Sequence, residues 1–291
     1  MSFITTKNAI GTALALLAGC GAAFAAGQPE PWQLGLSQAA TPIMENIRWF
    51  HDDLLMPIIT VITIFVLALL IYVSIRFNSR ANPKPSKTTH NTLLEVAWTV
   101  IPIMILMLIA VPSFRLLYFQ RVIPEAAMII KATGNQWYWS YEYPDHDGLS
   151  FDALMVQEAD LKEGQPRLLA VDNEVVVPVG EVVRVVVTAA DVIHNWAMPA
   201  FGTKMDAIPG RLNETWFKAE RTGIYYGQCS ELCGRDHAFM PIAVRVVEKA
   251  EFDAWVETAK TAGLDAANRQ LYASLDALKA KQQAQLAAPA N

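Results

Sequence analysis

Two long stretches of this chain carry no charge at all, and they constrain the fold more than any other feature. Between Asp53 and Arg76 lie 22 uncharged residues, and between Glu95 and Arg115 lie 19. At 1.5 Å rise per residue these make helices of about 33 Å and about 29 Å, matched to a hydrocarbon core of ~30 Å. Neither run has the polar stripe that a half-buried helix in a water-soluble core would show. Proline inside or beside them, at Pro57, Pro102 and Pro112, is tolerated in spanning helices where neighbouring groups satisfy the freed carbonyls. The chain is therefore expected to cross a membrane twice, through helices at about 54–77 and 94–118.

The loop between the spans gives the orientation. It holds Arg76, Arg80, Lys84 and Lys87 and no acid from 76 to 94. Short loops rich in lysine and arginine stay in the cytoplasm. The spans then form a hairpin with its turn inside, and the stretch before residue 54 and all that follows about residue 120 face outward. The first 25 residues agree independently. Lys7 supplies a positive start, Ile10 to Ala18 a short apolar core, and Ala23-Phe24-Ala25 an A-x-A cleavage site, the pattern of a secretory signal peptide. Leu17-Ala18-Gly19-Cys20 also reads as a lipobox, which would lipidate Cys20; simple cleavage near Ala25 or Ala26 is the preferred reading, because two spans already anchor the chain. The expected location is a bacterial inner membrane, with the C-terminal domain in the periplasm.

Beyond the hairpin the pattern changes. Short β-branched or aromatic runs at 126–133, 136–143, 167–171, 174–179, 182–189, 213–219, 223–227 and 240–247 are separated by Gly, Pro, Asp and Asn. Many short strands with turn signals and no intervening long helix predict a Greek-key sandwich. After 249 the composition becomes helical, in two segments at 251–262 and 265–286. The expected organisation is a signal peptide over 1–25, an N-terminal segment plus transmembrane hairpin over 26–120, an all-β domain over 121–250, and a helical tail over 251–291. A net charge of −5 argues against nucleic-acid binding.

The chemistry is concentrated in Cys229-Ser-Glu231-Leu-Cys233-Gly-Arg-Asp-His237-Ala-Phe-Met240. Two thiols, an imidazole and a thioether fall within twelve residues, and His194 supplies a second imidazole upstream. Three readings of the cluster compete. A Cys229–Cys233 disulfide suits an oxidising compartment but leaves His237 and Met240 without a purpose. A structural zinc site has no need of a thioether. Copper accepts the whole set, since soft sulfur ligands and imidazole suit it. A mononuclear blue-copper site would have one thiolate too many, whereas two thiolates can bridge two coppers, each capped by one imidazole and one weak ligand. Such a pair shares one electron over two metals, so little geometry changes on reduction, which suits electron transfer.

At these residues the chain resembles subunit 2 of the haem–copper cytochrome c oxidases. Tyr226-Gly-Gln-Cys229-Ser-Glu231-Leu-Cys233-Gly and His237-Ala-Phe-Met240-Pro match the family's dinuclear copper A loop, and the resemblance covers roughly residues 45–256. Nitrous oxide reductase shares the copper loop but lacks the hairpin. The resemblance implies a cupredoxin-like sandwich on two transmembrane helices. It implies bridging thiolates at Cys229 and Cys233, with His194 and Met240 on one copper and His237 and the Glu231 carbonyl on the other. It also implies that the Glu231 side chain reaches a magnesium or manganese ion shared with subunit 1. In Gly134-Asn135-Gln136-Trp137-Tyr138-Trp139-Ser140-Tyr141-Glu142-Tyr143, period-2 alternation puts Trp137, Trp139, Tyr141 and Tyr143 on one strand face. The family assigns acceptance of electrons from cytochrome c to the position of Trp137. Asn135 departs from the histidine common there. Glu95, at the cytoplasmic edge of the second span, matches an acid at the mouth of a proton path into subunit 1.

Charge fits such a partner. Residues 132–249 hold 17 acids and 10 bases, and residues 136–191 hold 11 and 3. An acidic face speeds encounter with a basic protein such as a lysine-ringed cytochrome c. The candidate docking residues are Glu142, Asp145, Asp147, Asp152, Asp172 and Asp191. The resemblance implies the electron-accepting subunit of a membrane cytochrome c oxidase, working with the haem-bearing subunit 1, further oxidase subunits and membrane lipid. A membrane-tethered periplasmic copper-binding or copper-delivery protein is the alternative.

Overall fold

The computed structural model describes residues 27–287; the expected signal peptide and Cys20 lie outside the described residues. The first membrane helix starts earlier than the charge-free run suggests. Helix α1 (Pro42–Arg48) is capped by Thr41, whose side chain accepts from the Met44 N–H, and Pro42 fills the first helical position. A π-helical stretch (Trp49–Leu55) then leads without a break into α2 (Met56–Arg76). The lack of charge marks only the part that lies in lipid; the turns before it carry Glu45, Arg48, Asp52 and Asp53. Helix α3 (Thr92–Arg121) has Asn91 as its N-cap and contains Pro102 and Pro112. The most apolar windows of both spans are unburied, with leucine, isoleucine, valine and phenylalanine facing outward on all sides, as membrane-facing helices require.

The β-domain is two five-stranded sheets packed face to face. Its strands are β1 (Met128–Asn135), β2 (Tyr138–Tyr143), β3 (Leu149–Ala153), β4 (Val175–Pro178), β5 (Val182–Ala189), β6 (His194–Met198), β7 (Thr203–Ala207), β8 (Asn213–Lys218), β9 (Gly223–Cys229) and β10 (Pro241–Val247). One sheet runs β3-β2-β1-β5-β8 and the other β4-β10-β9-β6-β7. The pairs β1–β5 and β4–β10 are parallel, which the long crossing connections of a Greek key produce. Alternation is clean where one face is buried: β1 and β5 place every second residue in the core. Phe201 stacks on Phe217 at 4.6 Å and packs on Tyr225 at 4.9 Å near the membrane side of this core.

Three expectations need correction. Residues 167–171 form no strand; they turn back on a proline, and only Val171 makes an isolated bridge, to Met155. Strands β3, β6 and β7 were not expected; β6 reads as a ligand-bearing loop in the sequence because His194 opens it. Trp137 does not share a strand face with its three aromatic neighbours. Strand β2 starts at Tyr138, so Trp139, Tyr141 and Tyr143 are buried while Trp137 sits half-buried in the turn before them.

Two contacts fix the sandwich to the hairpin. The Trp216 indole on β8 donates to the Gln120 carbonyl at 3.1 Å and meets Phe119 edge-on at 5.6 Å. On the other side, Thr41 Oγ1 donates to the Phe201 carbonyl at 2.7 Å, and the Ala40 N–H donates to the Ala200 carbonyl at 2.9 Å. The tail folds back as α4 (Lys249–Ala262) and α5 (Leu264–Ala287). Trp255 donates to Asn268 Oδ1 at 2.9 Å, and Asn268 in turn donates to Asn173, tying both helices to the sandwich. Tyr272 lies under the Arg245 guanidinium, which is ion-paired with Glu174.

Gly227 shows how tightly β6 and β9 are joined. A Cβ there would lie 2.0 Å from the Ala197 carbonyl oxygen and 2.6 Å from Met198 Sδ. Gly227→Ala should cost about 2 kcal/mol or more, because backbone has to move to relieve it. Denaturant unfolding followed by near-ultraviolet circular dichroism checks this; unchanged stability would mean the two strands can separate freely.

Candidate metal centre

The sheet order β10-β9-β6 brings the chemistry together. His194 opens β6, Cys229 closes β9, and Met240 leads into β10, so three adjacent strands deliver side chains to one end of the sheet. Trp196 pairs with Cys229 and Gln228 with Pro241, which fixes the register of the three. The loop between β9 and β10 supplies Glu231, Cys233 and a short 3₁₀ turn carrying His237.

The donors converge. Cys229 Sγ and Cys233 Sγ are 3.8 Å apart, too far for a bond of ~2.05 Å, and both are free thiols. His194 Nδ1 is 3.9 Å from Cys229 Sγ, and the Glu231 carbonyl is 3.3 Å from the same sulfur. His237 Nδ1 is 3.4 Å and Met240 Sδ 3.5 Å from Cys233 Sγ. His194, Cys229, Cys233 and Met240 are buried and His237 is half-buried. The ligand atoms of His194, Cys229 and Cys233 all lie within 4.8 Å of one another. A buried set of two thiols, two imidazoles, a thioether and a carbonyl fits soft metal, copper above all, and the spacing of the sulfurs suits a bridge. Cys229 and Cys233 would hold such metals together with His194, His237, Met240 and the Glu231 carbonyl.

Electrostatics prepares the thiols unequally. Burial opposes ionisation of Cys229, but His194 and backbone groups of Glu231 and Asn195 outweigh it and hold its thiol below the usual range. Burial and the neighbouring Cys229 charge push Cys233 up. The pair thus carries one charge on its own; a bound cation would let both sulfurs ionise.

Several residues that the motif does not contain hold the donors in place. Asp191 Oδ1 lies 2.9 Å from His194 Nε2, and its carboxylate also accepts from the Val192 N–H at 2.6 Å and the Gln136 N–H at 2.7 Å. Burial works against the Asp191 charge, yet these donors keep its pKa lowered. With Nε2–H held by Asp191, Nδ1 is left as the lone-pair nitrogen facing the sulfurs. Gly134 makes room for the imidazole: a Cβ there would sit 2.8 Å from the ring. The Trp139 indole meets His194 edge-on at 6.0 Å and donates to the Met240 carbonyl at 3.3 Å. The Cys233 carbonyl accepts from Gln136 Nε2 at 2.8 Å and from Trp137 Nε1 at 3.3 Å. In the sequence Gly134, Gln136, Trp137 and Trp139 belong to the aromatic stretch and Asp191 to the docking acids; their hold on the donors depends on how β1 and β2 fold over the loop.

The remaining expected residues lie elsewhere. The Glu231 side chain is exposed on the loop. Glu95 is half-buried in the first turn of α3, at the end of the hairpin away from the sandwich. Each of the six docking acids has a partner within the chain. Glu142 pairs with Lys131 at 3.1 Å and Asp147 with Lys260 at 2.7 Å. Asp145 accepts from the Ile129 N–H at 2.8 Å, Asp152 from Ser140 Oγ at 2.6 Å, and Asp172 from the Leu154 N–H at 2.7 Å. Glu142 is at the far end of β2, about 17 Å from Trp137 at ~3.3 Å per residue, and Asp145 and Asp147 lie in the turn beyond it. Glu158 and Asp236, absent from the expected set, line the groove beside Trp137.

The family model described as cytochrome c oxidase subunit II, periplasmic domain, matches residues 128–247, and the corresponding transmembrane-domain model matches residues 29–116. A probable cytochrome c oxidase subunit 2 from Rickettsia bellii is 52% identical over 249 residues, covering 86% of this chain and 92% of the relative. The cytochrome c oxidase subunit 2 of Oenothera berteroana is 49% identical over 233 residues, covering 78% and 90%. The crystal structure of the periplasmic domain of subunit II of cytochrome oxidase from Bradyrhizobium japonicum is 69% identical, covering 48% of this chain and 97% of that one, with a TM-score of 0.45.

Asp191→Asn should loosen the His194 ring without removing a ligand. Competition against a chelator should give a copper affinity about 10- to 100-fold weaker, the usual cost of losing a carboxylate behind a ligating histidine. An unchanged affinity would mean that packing by Gly134 and Trp139 alone sets the ring.

Proposed function

The chain belongs to the cytochrome c oxidase subunit II family, and we propose on that premise that it takes electrons from cytochrome c at a dinuclear copper centre held by His194, Cys229, the Glu231 carbonyl, Cys233, His237 and Met240. As a family member it is a membrane-bound subunit of a haem–copper oxidase, an oxidoreductase whose oxygen chemistry needs the other subunits. The observation that carries the proposal is the pair of unbonded thiols 3.8 Å apart, flanked by both imidazoles, the thioether and the carbonyl. Copper bound there supplies a one-electron store spread over two metals.

The chain's own residues do the rest. Trp137 is the group at which an electron arrives, because its ring reaches the surface groove while its N–H is bonded to the Cys233 carbonyl. That hydrogen bond joins the surface to the backbone of Cys233 in one step. Asp191, Gly134 and Trp139 keep His194 from rotating, so the donor set changes little between redox states. Burial keeps water from the sulfurs. The exposed Glu231 carboxylate is free to contribute to a magnesium or manganese ion shared with subunit 1. Glu95 serves as the mouth of a proton path into that subunit. Orientation follows from Arg76, Arg80, Lys84 and Lys87, which keep the connecting loop in the cytoplasm of a bacterial cell and the sandwich in the periplasm. A copper-delivery protein would have no use for the Trp137–Cys233 contact.

Trp137→Phe in the assembled oxidase should leave copper content unchanged and slow electron transfer from reduced cytochrome c by about tenfold or more, with docking affinity little altered. A variant that still accepts electrons at the original rate would contradict the proposal. Glu95→Ala should lower steady-state turnover while leaving reduction of the copper centre at its original rate; undiminished turnover would remove Glu95 from the proton path.

A further inference from the structure

Trp137 is half-buried and lines a surface groove, and the chain itself covers part of its ring. The guanidinium carbon of Arg235 lies 5.5 Å from its ring centroid. The same guanidinium is bonded to the next residue: Nη2 donates to Asp236 Oδ2 at 2.9 Å, and Nε approaches the two carboxylate oxygens at 3.2 and 3.3 Å. Arg235 is 82% exposed and Asp236 32%. Asp236, Trp137, Leu154, Glu158 and Phe239 share the lining of one groove of about 510 Å³. An acidic carboxylate and an aromatic face thus sit side by side at the surface, and a cation of the chain itself lies on both.

A structural purpose does not account for this. Exposed ion pairs contribute little to stability. The Trp137 ring is already held at its edge, where Nε1–H donates to the Cys233 carbonyl, and Gly234, with φ +121°, packs at the indole, where a Cβ would lie 3.1 Å from Cζ2. What Arg235 changes is charge. It cancels Asp236 and covers the ring that would otherwise attract a cation. We propose that Arg235 is a specificity-determining residue for the electron donor: an internal cation that occupies the place, over Trp137 and against Asp236, that a lysine of a basic donor protein would take. A basic donor must exchange its own cation for Arg235 before it reaches the ring. The proposal rests on the reading of Trp137 as the electron-accepting group.

The test uses the assembled, copper-loaded oxidase with a lysine-rich c-type cytochrome as probe, and reads the association rate by surface plasmon resonance across ionic strength. Arg235→Gln should associate about two- to fivefold faster at ~20 mM ionic strength, with the difference gone near ~200 mM as screening takes over. Arg235→Lys, which keeps the charge, should stay within about twofold of the original rate. Asp236→Asn leaves the cation uncompensated over the ring and should slow association. Arg235→Gln associating at the original rate would overturn the proposal. So would slower association, which would make Arg235 a contact for a donor carboxylate. Trp137→Phe separates the two levels. Electron transfer surviving in that variant removes the underlying reading, whereas its loss together with an unchanged Arg235→Gln association rate removes only the role of Arg235.

Discussion

Two thiols held close but unbonded, out of water, are the constraint on which the rest of this molecule depends. Left alone, Cys229 and Cys233 at 3.8 Å would either oxidise to a disulfide or repel once ionised. The chain surrounds them with a rigid frame. Strands β6, β9 and β10 fix where the sulfurs and His194 begin, and the pairing of Trp196 with Cys229 sets their height. The turn between β1 and β2 reaches over from the other sheet and grips the Cys233 carbonyl with Gln136 and Trp137. Asp191 and Gly134 determine how His194 stands. Both sheets therefore contribute to one loop at one end of the sandwich.

The hairpin matters to the site through two short links. Trp216 to Gln120 and Thr41 to Phe201 join the sandwich to the outer ends of the membrane helices on two sides. Each link buries aromatic or aliphatic surface beside its hydrogen bond: Phe119 against Trp216, and Ile43 and Ile47 against Gly202, where φ is +70° and a Cβ would lie 2.7 Å from Ile47. Attachment at two points limits rotation of the sandwich about the membrane normal. That is a physical requirement for a centre that has to hand electrons to a fixed neighbour.

Much of this was legible in the sequence, for reasons that differ by element. Absence of charge over residues 54–75 and 96–114 locates the spans, because lipid tolerates nothing else. The spacing of Cys229, Cys233, His237 and Met240 carries the ligand set, because a single loop delivers most of it. Long-range partners left no such trace. The sequence reading placed Trp137 in strand with Trp139, but the strand starts one residue after Trp137 and frees its ring for the surface. The carboxylate count over 136–191 carries net charge but not pairing: Lys131, Lys260, Ser140 and backbone N–H groups engage acids of the docking set, while the Glu142 and Asp147 side chains stay exposed. Strands β6 and β7 escaped notice because a ligand histidine and a 3₁₀ turn at Pro199–Phe201 interrupt the pattern that marks the others.

The central claim is that the two thiolates bridge two metals that share one electron. Electron paramagnetic resonance of the copper-loaded, partly oxidised full chain tests it most directly. The account predicts hyperfine structure from two equivalent copper nuclei, with the unpaired spin divided between them and the signal lost in either Cys229→Ser or Cys233→Ser. The hyperfine pattern of a single copper(II) ion, or a chain that binds copper only as silent copper(I), would contradict it.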